Sequence, residues 1–128
     1  MPHSFGAYLI LYIMVDLFNY TRRASSVAHI GAIDLGGDNP IRIQSMTTTN
    51  TNDTKACVRQ AEEIIKAGGE LVRFTTQGSR EAENMKNINA GIRADGYQTP
   101  LVADVHFNPN VANVAALYCE KVRVNPGN

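Results

Sequence analysis

The chain has 128 residues, 12 basic side chains (Lys and Arg) balanced by 12 acidic ones, and 44% hydrophobic residues. This length allows one domain or part of a larger one, and the apolar fraction is ordinary for a folded globular chain. A formal net charge of zero excludes the basic footprint of a nucleic-acid-binding protein. The two cysteines, Cys57 and Cys119, are far apart in the sequence, so we interpret them as buried apolar residues. This chain alone is not expected to hold a four-cysteine iron–sulfur cluster.

An apolar run near the N-terminus, Phe5–Val15, is about half as long as the ~20 residues that a membrane-spanning helix needs. No Lys or Arg precedes it, as the first part of a signal peptide would require. We therefore interpret residues 1–13 as an extra or wrongly assigned extension, with Met14 as an alternative start, rather than as a membrane anchor. Deleting residues 1–13 is expected to leave the protein soluble.

The first folded segment is predicted to be a strand that leads through a turn into the first core strand. Val27–Leu35 is mildly apolar, and the Gly36–Pro40 stretch that follows is a strong turn signal. Ile41–Met46 alternates apolar and polar residues, as a half-buried strand does. A polar loop rich in Thr and Asn follows and offers several helix N-caps.

Three helices then alternate with three strands. The first helix is predicted at Asp53–Ala67, before a Gly-Gly stop; the second runs from a Ser79 cap to Ala94; the third opens at Asn108-Pro109 and ends near Cys119. The expected inward residues are Cys57, Ala61, Ile64 and Ile65, then Ala82, Met85, Ile88 and Ile92, then Val111, Ala112, Ala115 and Ala116. The strands are predicted at Glu70–Thr76, Pro100–Val105 and Lys121–Asn125.

The alternation of strands and helices predicts an α/β fold with a parallel sheet and right-handed crossovers. A closed (β/α)8 TIM barrel typically needs about 250 residues, so four core strands would supply roughly its N-terminal half. A complete, open flavodoxin-like sheet is the alternative at this length.

Polar side chains cluster at the carboxyl ends of these strands, where parallel α/β folds bind ligands. Residues two apart on a strand face the same side, which pairs Asp104 with His106, and Arg123 with Asn125. Arg73 lies inside another apolar strand. Buried charges are costly unless they are paired or face a ligand.

Two interpretations of these charges stay open. A structural network could pair Asp104 with one arginine, or Arg73 and Arg123 could converge on an anion, since guanidinium groups bind phosphate bidentately. We favour the anion site. The Asp104-x-His106 pair suits acid–base work or hydrogen bonds to substrate hydroxyls better than metal binding, because only two ligands are visible.

Four ordered stretches resemble the 4-hydroxy-3-methylbut-2-enyl diphosphate synthase family. They are GGDNPIRIQSMTTTNTND (Gly36–Asp53), LVRFTTQGSREAENMKNI (Leu71–Ile88), PLVADVHF (Pro100–Phe107) and KVRVNPGN (Lys121–Asn128). The resemblance covers about Asp16 to Asn128, and the second stretch looks most like the long, three-domain form.

The resemblance implies an N-terminal TIM barrel at residues 14–128, here partial, and a separate C-terminal iron–sulfur domain that this chain lacks. It implies a cytoplasmic oxidoreductase of non-mevalonate isoprenoid biosynthesis, which acts on CH or CH2 groups and reductively opens 2-C-methyl-D-erythritol 2,4-cyclodiphosphate. It further implies a 4Fe-4S cluster held by three cysteines and a glutamate, flavodoxin or ferredoxin as electron donor, and a homodimer when full length. No nucleic-acid or membrane partner is expected.

The resemblance also implies that Arg73, Asp104, His106, Arg123 and Asn125 line the pocket for the cyclic diphosphate. Nothing in the chain matches the cluster-binding segment, so we expect the chain alone to be inactive, and its catalytic residues remain unknown. A pterin-binding barrel of the dihydropteroate synthase kind is an alternative, although its Pro-Asp-Ser motif is absent. A non-catalytic phosphate-binding module is another.

Overall fold

The computed structural model of the protein describes residues 18–127. The apolar run at residues 5–15 and the predicted extension at residues 1–13 therefore lie outside the described residues. Among residues 18–127, no helix has the length and hydrophobicity needed to cross a bilayer.

Strands and helices alternate through most of the described chain. The strands are β1 (Val27–Ile30), β2 (Ile33–Gly36), β3 (Gln44–Met46), β4 (Leu71–Thr76), β5 (Leu101–Val105) and β6 (Lys121–Val124). The helices are α1 (Thr54–Lys66), α2 (Ser79–Ala94) and α3 (Pro109–Ala115). Strands β3 to β6 form a parallel sheet in the order β3-β4-β5-β6. The predicted α/β class and parallel sheet are confirmed.

The strand order distinguishes the two predicted architectures. A flavodoxin-like sheet reverses its strand order at a switch point, whereas neighbouring strands in a TIM barrel follow one another in sequence. The four parallel strands follow one another without reversal, and each consecutive pair is hydrogen-bonded. This order is that of a partial barrel.

One face of the sheet packs against the helices. Val72 and Phe74 of β4 and Leu101 of β5 are buried there. They pack with α1 and α2 through Cys57, Ala61, Met85, Ile88 and Ile92. All four predicted inward residues of α2 are fully buried, which confirms the face predicted from helical spacing.

A short hairpin covers part of the opposite face, which we call the inner face. Ile30 of β1 and Leu35 of β2 pack against Leu71 and Val102 at the amino ends of β4 and β5. The prediction of one strand over Val27–Leu35 is therefore wrong. The chain reverses at Gly31, whose φ of +57° is readily adopted only by glycine.

The first core strand is shorter than predicted, because Ile41–Ile43 is not part of the ladder. The Ile43 N–H donates to the Glu70 carboxylate at 3.2 Å, and Arg42 Nη1 donates to the same carboxylate at 3.0 Å. Pro40 has no N–H to offer. Ile43 O also accepts from the backbone N–H groups of Glu70 and Leu71, at 2.8 and 3.1 Å, so side-chain and backbone bonds together tie the segment to the start of β4.

Two helix ends also differ from the prediction. Gly78, not Ser79, is the N-cap of α2, and it makes no side-chain cap bond. Helix α3 ends at Ala115 rather than near Cys119, because the chain tightens there into bonds such as Leu117 N–H to Val114 O. Ala116, predicted to face inward, is exposed.

Candidate anion-binding site

The alternation of side chains along β4, β5 and β6 brings three charged residues together on the inner face. Asp104 lies opposite Arg123 in the parallel register, and Thr75 lies opposite Asp104 on the other side. Arg73 is two residues before Thr75 on the same face. We call Arg73, Asp104 and Arg123 the Arg–Asp site. The structure brings the two arginines together, on the Asp104 carboxylate.

Both arginines bind the one carboxylate. Arg73 donates from Nε to Asp104 Oδ2 at 3.0 Å, and its Nη2 also donates to that oxygen. Arg123 donates from Nη1 to Oδ1 at 2.9 Å. The Asp104 side chain is only 2% exposed, whereas those of Arg73 and Arg123 are 27% and 39% exposed. The carboxylate is therefore the buried anchor, and the guanidinium groups form the accessible surface.

The charges of this group do not cancel. Two guanidinium charges face one carboxylate, which leaves one positive charge in excess. Burial alone would raise the pKa of Asp104, but the hydrogen bonds from Arg73 and Arg123 outweigh that effect and hold the pKa below its ordinary value. Asp104 is thus ionised at neutral pH. The structure shows the ion-pair network, with both arginines rather than one on Asp104, and the anion site stays a prediction.

His106 joins the group from the end of β5. Its Nε2 is buried and lies 3.2 Å from Asp104 Oδ2, in an orientation that makes no hydrogen bond. The imidazole is therefore held beside the carboxylate, with its Nε2 buried and unpaired by a hydrogen bond. This position agrees with the predicted shared face of Asp104 and His106.

Asn125 is not part of the same contact network. Its Oδ1 accepts from the Gly127 N–H at 3.0 Å, which closes a local turn after β6. The structure therefore brings four of the five predicted residues together and leaves the fifth at the adjoining strand end.

A polar loop, which the sequence predicted as a source of helix caps and which begins with the strand-end residue Thr47, borders the same edge. We call residues 47–52 the rim loop. Thr51 Oγ1 donates to Thr75 O at 2.6 Å, and Thr47 N–H donates to Arg73 O at 2.9 Å. A cavity of about 340 Å³ lies between this loop and Thr75, Gln77 and Glu81. In the sequence, the position of these polar residues directly after a core strand is the signal that could have placed the loop at the ligand-binding edge.

The cysteines do not suit the iron–sulfur group that the resemblance implies. Cys57 is buried in the core and donates from Sγ to Asn50 O at 3.2 Å. Burial raises the pKa of the Cys57 thiol, and burial together with Glu120 raises the pKa of Cys119 to about 12. Across residues 18–127, no three His, Cys, Asp or Glu side chains are grouped to hold a metal ion. These residues do not provide a cluster site.

Comparison with known proteins identifies the family. The GcpE TIM-barrel domain matches residues 25–128, which include both strand-end arginines. The chain belongs to this family. The resemblance carried by the strand-end motifs is thereby confirmed, and the parallel sheet is part of a GcpE TIM barrel.

Several curated relatives of this GcpE chain carry the name 4-hydroxy-3-methylbut-2-en-1-yl diphosphate synthase (flavodoxin). The protein from Phocaeicola vulgatus is 73% identical over 114 residues, which are 89% of this chain and 19% of that protein. The one from Bacteroides thetaiotaomicron is 68% identical over the same shares. The one from Porphyromonas gingivalis is 59% identical over 90% of this chain and 20% of its own length. The chain spans about a fifth of the length of these relatives.

Proposed function

We propose that this chain supplies part of the substrate pocket of a 4-hydroxy-3-methylbut-2-en-1-yl diphosphate synthase, and that the Arg–Asp site binds the diphosphate of a cyclic diphosphate substrate. The observation that carries the proposal is the excess positive charge where Arg73 and Arg123 share the buried Asp104 carboxylate. The names of the curated relatives support the reaction.

The donor arrangement suits a phosphate oxygen. Asp104 engages Nε and Nη2 of Arg73 and Nη1 of Arg123. Guanidinium groups have five N–H donors each, so both retain donors that face away from Asp104. The carboxylate fixes the two planes, which reduces the side-chain entropy lost when an anion binds.

His106 and Asn125 are proposed to bind the polar groups beside the phosphates. The His106 side chain is 26% exposed and lies next to Asp104, so its imidazole is within reach of a ligand at this site. The amide nitrogen of Asn125 is a donor that its turn with Gly127 does not use, since only Oδ1 takes part. Both side chains are proposed to hydrogen-bond substrate hydroxyls, and the imidazole of His106 is also proposed to carry a proton.

The remaining parts of the reaction are assigned outside these 128 residues. We propose that the iron–sulfur cluster is held by ligands elsewhere in the assembled enzyme, because neither Cys57 nor Cys119 suits that role. Flavodoxin is proposed as the electron donor, in line with the names of the relatives. The cytoplasmic location and the homodimer stay predictions.

The test is a calorimetric titration of the purified chain with 2-C-methyl-D-erythritol 2,4-cyclodiphosphate. We expect binding without turnover. Arg73→Ala and Arg123→Ala should each weaken the affinity at least about tenfold, because each removes a charge-assisted contact of about 1.5–3 kcal/mol. Arg59→Ala, which removes an exposed arginine from α1, is the matched control and should change nothing.

Equal affinity in the unsubstituted chain and both site variants would refute the assignment. The same titration separates the alternatives that the sequence left open. A pterin-binding barrel would instead bind a dihydropterin diphosphate. A phosphate-binding module would bind inorganic diphosphate as tightly as the cyclic compound.

A further inference from the structure

The residue after His106 has a conformation that its side chain disfavours. Phe107 has a φ of +65°, and among residues 18–127 it is the one residue other than glycine with a positive φ. In this region the Cβ atom of an L-residue approaches the neighbouring carbonyl oxygen, so bulky residues rarely adopt it.

A tight turn holds Phe107 in this conformation. The Asn108 N–H donates to His106 O at 2.8 Å, which closes a three-residue turn with Phe107 at its centre. Turns of this kind with a positive central φ are the strained form. Asn108 caps α3 and Pro109 opens that helix, so the strained residue is clamped between β5 and α3.

The side chain of Phe107 is also not buried in the core. It is 73% exposed, although it is aromatic. Its ring lies against the His106 ring, with centroids 5.8 Å apart and planes inclined by 49°. Phe107 therefore combines backbone strain with apolar exposure, next to an imidazole that contacts Asp104.

Neither the strained backbone of Phe107 nor its exposed ring contributes to the packing of the sheet. Strained residues concentrate at ligand sites, where the strain fixes a useful geometry. An exposed aromatic ring near a buried carboxylate and its accessible arginines places an apolar surface beside a polar one, as ligand pockets do.

We propose that Phe107 is a ligand-contacting residue that gives the Arg–Asp site an apolar wall. The site would then select diphosphates that carry a short branched hydrocarbon over inorganic diphosphate. The arginines would bind the phosphates, and the Phe107 ring would cover the carbon skeleton. This inference rests on the proposed function, because it assumes that the arginines bind diphosphate.

The test compares the affinities of two probes, inorganic diphosphate and 3-methylbutyl diphosphate, for the purified chain. We expect the second probe to bind about tenfold more tightly, from partial burial of its hydrocarbon against the ring. Phe107→Ala and Phe107→Gly should both reduce this ratio to near one, because each removes the ring that covers the hydrocarbon.

The two variants also distinguish the effect of losing the ring from the effect of the backbone strain. Phe107→Gly should have a Tm a few degrees higher than Phe107→Ala, because glycine tolerates the positive φ and alanine does not. A residue kept only for folding would alter Tm and leave the probe ratio unchanged. Leu117→Ala is the matched control, since Leu117 is also 73% exposed and follows α3. It should leave the ratio unchanged.

The possible failures are distinguishable. A ratio near one in the unsubstituted chain, or a ratio that both Phe107 variants preserve, overturns the role of Phe107 and leaves the arginine assignment standing. If neither the probes nor the cyclic diphosphate bind the unsubstituted chain, the proposed function fails, and the role of Phe107 fails with it. If the cyclic diphosphate binds and neither probe does, only the role of Phe107 fails.

Discussion

The two faces of the four-stranded sheet are built from the same strands and have opposite chemistry. On the helix-facing side, Val72 and Phe74 are fully buried in an apolar core. On the inner face, the residue between them is Arg73, which binds Asp104 of the next strand. Because successive residues of a strand point to opposite faces, packing and charge are separated by a single step along the chain. Stability and ligand binding should therefore respond to neighbouring substitutions in different ways.

The largest effect should come from the helix-facing side. Phe74→Ala should lower the free energy of unfolding by about 4 kcal/mol, because it leaves a cavity in a fully buried core. Urea denaturation followed by circular dichroism measures this change. Phe74→Leu, a milder substitution, should cost about 1.5 kcal/mol and keep the chain folded for titration.

That pair of variants is compared with Arg73→Ala, one residue away. We expect Phe74→Leu to retain the diphosphate affinity and Arg73→Ala to lose it. If Phe74→Leu weakened binding as much as Arg73→Ala does, the two faces would not be separable.

The second-largest loss of stability should come from a substitution on the inner face. Asp104→Asn should cost about 2 kcal/mol, because two guanidinium groups lose the ionised acceptor that they share. The partial exposure of both arginines keeps this loss below that of a fully buried pair. Glu63→Gln, which removes an exposed carboxylate of α1, is the control and should leave stability unchanged.

Asp104→Asn should also change how the free energy of unfolding depends on pH. The pKa of Asp104 is lowered in the folded chain, so its contribution is complete above the unfolded value of about 3.9 and is lost as the pH falls below it. Unfolding free energies measured from pH 6 to pH 2.5 should fall more steeply for the unsubstituted chain than for Asp104→Asn. Parallel pH profiles for the two proteins would contradict this.

The smallest change in stability is expected from a substitution on the helix-facing side. The hydroxyl of Thr76 is fully buried and has no hydrogen-bond partner. Thr76→Val should therefore raise the free energy of unfolding by about 1 kcal/mol, because it removes an unsatisfied polar atom with little change in shape. Thr75→Val, on the inner face, should change stability by less than about 0.5 kcal/mol. A loss of stability in Thr76→Val would show that the hydroxyl has a partner in solution.

Much of the Arg–Asp site could be predicted because its geometry follows from strand periodicity. Arg73 and Asp104 interrupt apolar strands, and a two-residue repeat fixes the face on which each lies. The helices could be predicted from the spacing of their apolar residues. The start of α1 could be predicted from Asp53, whose side chain accepts a hydrogen bond from the Ala56 N–H.

The features that were missed depend on contacts between distant segments. The hairpin at Gly31 is stabilised by packing on Leu71 and Val102, which lie far along the chain. The Ile43 N–H donates to the side chain of Glu70, which is 27 residues further along the chain. The positive φ of Phe107 has no sequence signature, because an aromatic residue is among the least expected to adopt it.

The rim loop has a consequence for the thermodynamics of binding. It is fixed without any ligand: Thr48 N–H donates to Gln60 Oε1, Thr51 Oγ1 to Thr75 O, and Asn84 Nδ2 to Thr51 O. Ordering a free backbone costs roughly 1–2 kcal/mol per residue. Folding has already imposed that order on residues 47–52, so a ligand at this edge should encounter a preformed wall and lose little affinity to ordering of the loop.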